Sequence, residues 1–186
     1  MNSGIKQQPS LRVAPLRRPA DRRWAARLMA GSEPWLTLGR NAAATLALLR
    51  NPARQCFVAT VGRTRVSVLI LAADGPLGGY LQAICVAPER RGGGLGTALV
   101  QWAEARLFAR QPNVFLCVSS FNPGALRLYR RLGYRTVGRL RDYIIPGHDE
   151  ILLRKTLGPL SAVSSAKLSR WPAKRTSAPE GMSLNR

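Results

Sequence analysis

Residues 86–100 read VAPERRGGGLGTALV, and this stretch restricts the fold more than any other. Gly92, Gly93, Gly94 and Gly96 follow directly on Arg90 and Arg91. A strand-like run, YLQAICV, precedes them from Tyr80 to Val86. After them Leu95, Ala98, Leu99 and Trp102 fall at i, i+3, i+4 and i+7, which predicts an amphipathic helix, with Gln101 and Glu104 off its apolar face. A helix start leaves its first N–H groups unpaired and carries positive dipole character, so it receives anions readily. Glycines let a phosphate come close to those N–H groups and permit turns that other residues resist. With the charge of Arg91 beside it, the loop reads as a pyrophosphate site.

Two other phosphate loops do not match. A Walker A loop ends Gly-Lys-Ser/Thr, whereas Gly96 is followed by Thr97. A dinucleotide fingerprint needs G-x-G-x-x-G early in a βαβ unit, and the Gly92-x-Gly94-x-Gly96 spacing differs.

The rest of the chain supplies a mixed sheet with covering helices. LRVAPL (11–16) reads as a first strand, and two helices follow at about 20–29 and 40–50, separated by SEPW (32–35). QCFVATV (55–61) and RVSVLILAA (65–73) form an antiparallel hairpin, and DGPLGG (74–79) turns into the strand before the glycine loop. NVFLCVSS (113–120) is an apolar, β-rich run. In FNPGALRLYRRLGY, Asn122 is a helix cap, Pro123 suits the first helical position and Gly133 the end. Ala125, Leu128, Tyr129 and Leu132 make its apolar stripe. Two extended runs, 134–145 and 150–157, close the body around a Pro146–Asp149 turn. The expected organisation is a loose leader (1–10), one domain (11–157) and a disordered basic tail (158–186).

The 186 residues carry 29 Lys and Arg against 9 Asp and Glu, a formal charge of +20. The tail has five basic residues and one acid, which leaves +16 of that charge on the rest. Such a field favours anionic partners. No helix-turn-helix, zinc-finger or RNP-like pattern accompanies it, so no specific nucleic acid is expected. The 3 cysteines, Cys56, Cys85 and Cys117, have neither disulfide pairing number nor metal spacing, and no metal is expected. No apolar run reaches the length of a membrane span and no secretory h-region stands near the start, so a cytoplasmic location is expected.

Arg91-Gly92-Gly93-Gly94-Leu95-Gly96 resembles the R/Q-x-x-G-x-G/A signature of the GNAT superfamily of N-acetyltransferases. NPGALRLYRRLGY (122–134) is similar to that family's N-x-x-A-x-x-L-Y-x-x-x-G-F/Y segment. The resemblance implies an α/β fold with a mostly antiparallel sheet, flanked by helices, in which two parallel strands splay into a V. It implies acetyl-CoA as cofactor and a primary amine, of a small molecule or a protein, as acceptor in direct attack through a ternary complex. It further implies that Ile84, Cys85 and Val86 offer backbone groups to the pantetheine arm. The nitrogens of Gly92, Gly93, Gly94, Leu95, Gly96 and Thr97, with the Arg91 side chain, would hold the pyrophosphate. Asn122 would contact coenzyme A, and Tyr129 would donate a proton to the departing sulfur.

The acceptor side is expected at 31–39 and the final hairpin, with Glu33, Trp35 and Ser119 as substrate contacts. The strand before the loop carries Gln82 where relatives often have a glutamate. The base is therefore left open among Glu33, His148, Glu150 and a water on Ser119 or Cys117. A non-catalytic acyl-CoA sensor or scaffold is the alternative class, and a homodimer is left open.

Overall fold

The structure, a computed structural model, describes residues 10–73 and 77–162. The expected leader and most of the expected tail lie outside the described residues. Seven strands form one sheet in the order β1-β2-β3-β4-β5-β7-β6. They are β1 (Leu11–Pro15), β2 (Gln55–Val61), β3 (Thr64–Ala72), β4 (Gly79–Val86), β5 (Asn113–Ser119), β6 (Arg135–Ile145) and β7 (His148–Thr156). The helices are α1 (Pro19–Ala30), α2 (Ala42–Arg50), α3 (Leu95–Phe108) and α4 (Pro123–Arg131).

The central strand explains the two-sided core. Every residue of β3 from Val66 to Ala72 is buried. Successive side chains leave a strand on opposite faces. Leu69 and Leu71 accordingly join the cluster under α3, with Leu99, Leu107, Phe108 and Leu116. Val68 and Ile70 join the cluster under α1 and α2, with Met29, Leu49 and Val58. A strand buried on both faces has no polar alternation, hence the unbroken RVSVLILAA.

All strand pairs are antiparallel except β4 with β5. That parallel ladder consists of Gly79 opposite Val114 and Tyr80 opposite Phe115. Beyond it β4 runs on to Val86 along β3 and β5 to Ser119 along β7, but the two no longer pair with each other, so the expected V opens toward the carboxyl ends of both strands. β4 also bulges: Ile70 faces Ala83 while Leu71 faces Leu81, which leaves Gln82 as the extra residue. A bulge bends its strand and re-aims a side chain.

Two local expectations change. Glu104 was placed off the apolar face of α3 but is 3% exposed, because Lys155 of β7 reaches its Oε2 at 2.8 Å. The final turn is shorter than Pro146–Asp149, since His148 and Asp149 already belong to β7. Asp149 accepts from Arg139 and from Asp142 N, and Gly147 N donates to Asp142 Oδ1 at 2.6 Å. These bonds hold Asp142 at φ +48 within an irregular stretch of β6 between Leu140 and Ile145.

Candidate active site

The V between β4 and β5 continues into a cleft of about 410 Å³. Tyr80 to Ile84 line it from β4, and Cys117, Val118 and Ser119 from β5. Asn122, Ala125 and Tyr129 of the α4 segment close one side. Trp35, Leu38, Arg40 and Leu48 close another, and Tyr143, Ile144 and Glu150 come from the last hairpin. The irregular stretch of β6 thus brings Tyr143 and Ile144 into the wall.

The glycine loop begins where β4 ends. A 3₁₀ turn, Pro88–Arg90, leads into it, and α3 starts at Leu95. Gly92 has φ +84 and Gly94, the residue before α3, φ +77. Left-handed backbone of this kind is what glycine allows and other L-residues resist. At Gly96 a Cβ would meet only Leu128 Cδ2 of α4, at 3.4 Å, an ordinary contact, so packing makes no such demand there. Ala98 N is bonded to Gly94 O, and the N–H groups of Leu95, Gly96 and Thr97 precede it in the first turn, where a helix offers no partner.

Arg91 is engaged within the protein. Its Nε donates to Val86 O at 3.1 Å and its Nη2 to Ser32 Oγ at 3.3 Å. It therefore ties the start of the glycine loop to the end of β4 and to the turn after α1. A guanidinium has five N–H donors, so further donors remain for a ligand.

Tyr129 lines the cleft from the apolar stripe of α4, with its ring edge-on to Tyr134 at 5.6 Å. Burial pushes its phenol up to about 12, which keeps it protonated at neutral pH. Asn122 caps α4 through Oδ1, which accepts from Ala125 N at 3.1 Å, and also lines the cleft.

Among the expected acceptor contacts, Trp35 reaches the cleft while packing in the core. It is 9% exposed, packs in the α1–α2 cluster and lines the cleft. Glu33 does not reach the cleft. It is exposed, and its carboxylate turns back to accept from Thr37 N and Thr37 Oγ1. His148 packs edge-on to Phe121 at 4.9 Å and is not among the cleft residues.

Ser119 is buried and donates to Glu150 Oε1 at 2.5 Å. Burial raises the Glu150 carboxyl above its ordinary range, while Ser119 and Arg40 draw it back. Cys117 also lines the cleft, but burial raises its thiol and the Glu150 charge adds to that. A protonated thiol is a poor nucleophile, so nothing here activates an acyl-cysteine route. All three cysteines are free. Among the described residues no cluster of His, Cys, Asp and Glu could hold a metal, and no helix is long and apolar enough to cross a membrane.

Residues 19–134 match the Acetyltransferase (GNAT) family. The chain belongs to that family. It is 32% identical over 137 residues to the N-alpha-acetyltransferase RimI of Mycobacterium tuberculosis, covering 72% of this chain and 82% of that protein. Its fold is similar to the ribosomal-protein-S18-alanine N-acetyltransferase of Escherichia coli, with TM-score 0.65 and 21% identity over 80% of this chain and 95% of the other. It is also similar to the spermidine N-acetyltransferase of Vibrio cholerae, crystallised with CoA and spermine, with TM-score 0.64 and 20% identity over 79% of this chain and 95% of the other. The splayed sheet flanked by helices is thus the fold of this acetyltransferase family.

Proposed function

We propose that this acetyltransferase uses acetyl-CoA and passes its acetyl group to a primary amine by direct attack within a ternary complex. The observation that carries this reading is the junction of two features. The unpaired edges of β4 and β5 open into the cleft, and the glycine loop, with the free first-turn amides of α3, lies at the end of β4.

The residues fit the cofactor. Backbone groups of Ile84, Cys85 and Val86 lie on the stretch of β4 that has left β5, available to an extended amide-bearing arm. The amides of Gly92 to Thr97 and the remaining donors of Arg91 would hold the pyrophosphate. Asn122, at the head of α4, would meet the pantetheine side. When bound, acetyl-CoA supplies the thioester on which an amine acts. Tyr129, protonated and in the same cleft, is the group we assign to give a proton to the departing sulfur. Trp35 and Ser119 belong to the acceptor side. Glu33 we leave out of it, because its carboxylate caps its own turn.

The test is a melting curve with acetyl-CoA, against pantetheine as control. Ligand at 100 times its dissociation constant stabilises by about 2.7 kcal/mol. For a chain of this size that is roughly 5–10 °C. A shift that depends on the pyrophosphate supports the assignment. An unchanged melting temperature at millimolar acetyl-CoA refutes it.

A further inference from the structure

The cleft contains polar groups that the cofactor reading leaves unused, and they divide by sign. Glu150 carries the one carboxylate among the described residues that line it, and it is 6% exposed. The register of β5 on β7 sets it opposite Ser119, whose hydroxyl fixes Oε1. Gln82, pushed out by the β4 bulge, lines the same space with an Oε1 that is buried and without a hydrogen-bond partner. These are acceptors. Arg40 and Arg54 also line the cleft. Arg54 Nε is buried with no partner, and its Nη1 reaches only the neighbouring Ala53 O at 3.4 Å. Among the described residues neither arginine makes an ion pair with a carboxylate. An unpartnered buried donor and an unpartnered buried acceptor in one cavity are costly unless a ligand completes them.

We infer that the acceptor is an α-amine bearing a carboxylate close by, with its nitrogen at Glu150 and Gln82 and its carboxylate at Arg40 and Arg54, and that Glu150 removes the proton the nitrogen must lose. This rests on the acetyl-transfer reading above. The step is a simple exchange: the ammonium N–H bond breaks, its electron pair stays on nitrogen, and the proton becomes the O–H of the Glu150 carboxylic acid. The match of basicity favours an α-amine. The α-ammonium of a peptide N-terminus, near 8, lies roughly 2.5 units closer to a carboxylic acid than a lysine ammonium near 10.4. Burial of Glu150 narrows the gap further.

The same arrangement disfavours polyamines. A polycation would meet one carboxylate, two guanidinium groups and a chain of net charge +20. The required chemistry occurs both in a free amino acid, through its own α-carboxylate, and in a peptide beginning with an acidic residue, and the experiment separates these sources.

The full chain, saturated with acetyl-CoA, is assayed for released thiol with five acceptors. They are free glutamate, a hexapeptide beginning Glu-Glu, the same peptide beginning Gln-Gln, an N-blocked lysine peptide, and spermidine. Glutamate or the Glu-Glu peptide should exceed the Gln-Gln peptide at least tenfold in kcat/KM, with spermidine lowest. Arg40→Gln and Arg54→Gln should erase that preference mainly through KM. Glu150→Gln should lower kcat at least a hundredfold and remove the acid limb of the kcat/KM profile, which in the unaltered protein lies above the usual carboxylate range. Ser119→Ala should move that limb further up while activity persists, as expected of a positioning residue. Melting curves guard against misfolding: Glu150→Gln removes a buried charge and should melt no lower at neutral pH.

The inference is overturned if spermidine or the Gln-Gln peptide matches the acidic acceptors. It is equally overturned if Glu150→Gln keeps the acid limb, or if acetyl-CoA binds and none of the five is acetylated. Failure of acetyl-CoA to raise the melting temperature would instead strike the cofactor reading.

Discussion

Substituting Gly94 by alanine tests the glycine loop where the backbone itself makes the demand. Gly94 has φ +77 and ψ −5 immediately before α3. An L-residue forced into that region is disfavoured by about 1–2 kcal/mol. The chain then has two responses. If it keeps the geometry, the strain appears as lost stability, and each kcal/mol lowers the melting temperature by roughly 2–4 °C at this chain length. If it relaxes, the amides of Gly94 and Leu95 turn away from the place where phosphate oxygens would lie. One lost hydrogen bond to a charged group costs roughly 1.5–3 kcal/mol, or about 10- to 150-fold in affinity. Calorimetric titration with acetyl-CoA and with pantetheine, beside a melting curve, reads both responses. The expected result is weaker acetyl-CoA binding, a lower melting temperature or both, with pantetheine binding unchanged. Gly96→Ala is the control. Its Cβ would meet only the tip of Leu128 at 3.4 Å, and alanine is about 1 kcal/mol better than glycine within a helix. If Gly94→Ala leaves both stability and acetyl-CoA affinity intact, the conformational argument is wrong. If pantetheine loses as much affinity as acetyl-CoA, the loop does not hold the phosphates.

Tyr129→Phe should preserve acetyl-CoA affinity and reduce kcat about 100-fold or more, since it removes the phenol while keeping the ring that packs on Tyr134; a full kcat would dismiss the tyrosine as a proton donor. Lys155→Met should destabilise by about 3–5 kcal/mol, because Glu104 would remain buried without its cation. Burial raises the Glu104 carboxyl, and Lys155 lowers it. Without the lysine the folded state holds the proton more tightly than the unfolded chain, so the loss should grow as pH rises from 4 toward neutrality. Thermal melts across that range, with Glu104→Gln/Lys155→Met as the restored pair, check the sign.

What the sequence made legible was local. The glycine positions, the apolar stripe of α4 and the Asn122-Pro123 start each depend on residues within a turn of one another, and all three stand where they were read. The β2–β3 hairpin was legible too, from two apolar runs joined by a short link. What escaped depends on register between distant segments. Glu104 looked solvent-facing because its partner Lys155 lies 51 residues on. Glu150 could not be placed in the cleft from the sequence, because that depends on the pairing of β7 with β5, which sets it opposite Ser119, 31 residues away. Gln82 looked like a plain replacement of an acid until the bulge gave it a place in the cleft. Glu33 offered a free carboxylate on paper, yet Thr37 four residues later turns it into a cap.

Arg91 connects the glycine loop to the segment that carries Trp35. One guanidinium bridges Val86 O at the mouth of the V and Ser32 Oγ in the turn that precedes Trp35. Val86 leads through the 3₁₀ turn into the glycine loop, and Trp35 lines the cleft. Any ligand that draws the guanidinium toward its phosphates must weaken at least one of these two bonds or strengthen the posture that both require. Coupling between two sites has to act through an element whose state both ligands bias, and it is reciprocal. An Arg91 that also held the phosphates would be such an element. Its length is what lets it reach from the head of the glycine loop to the turn after α1.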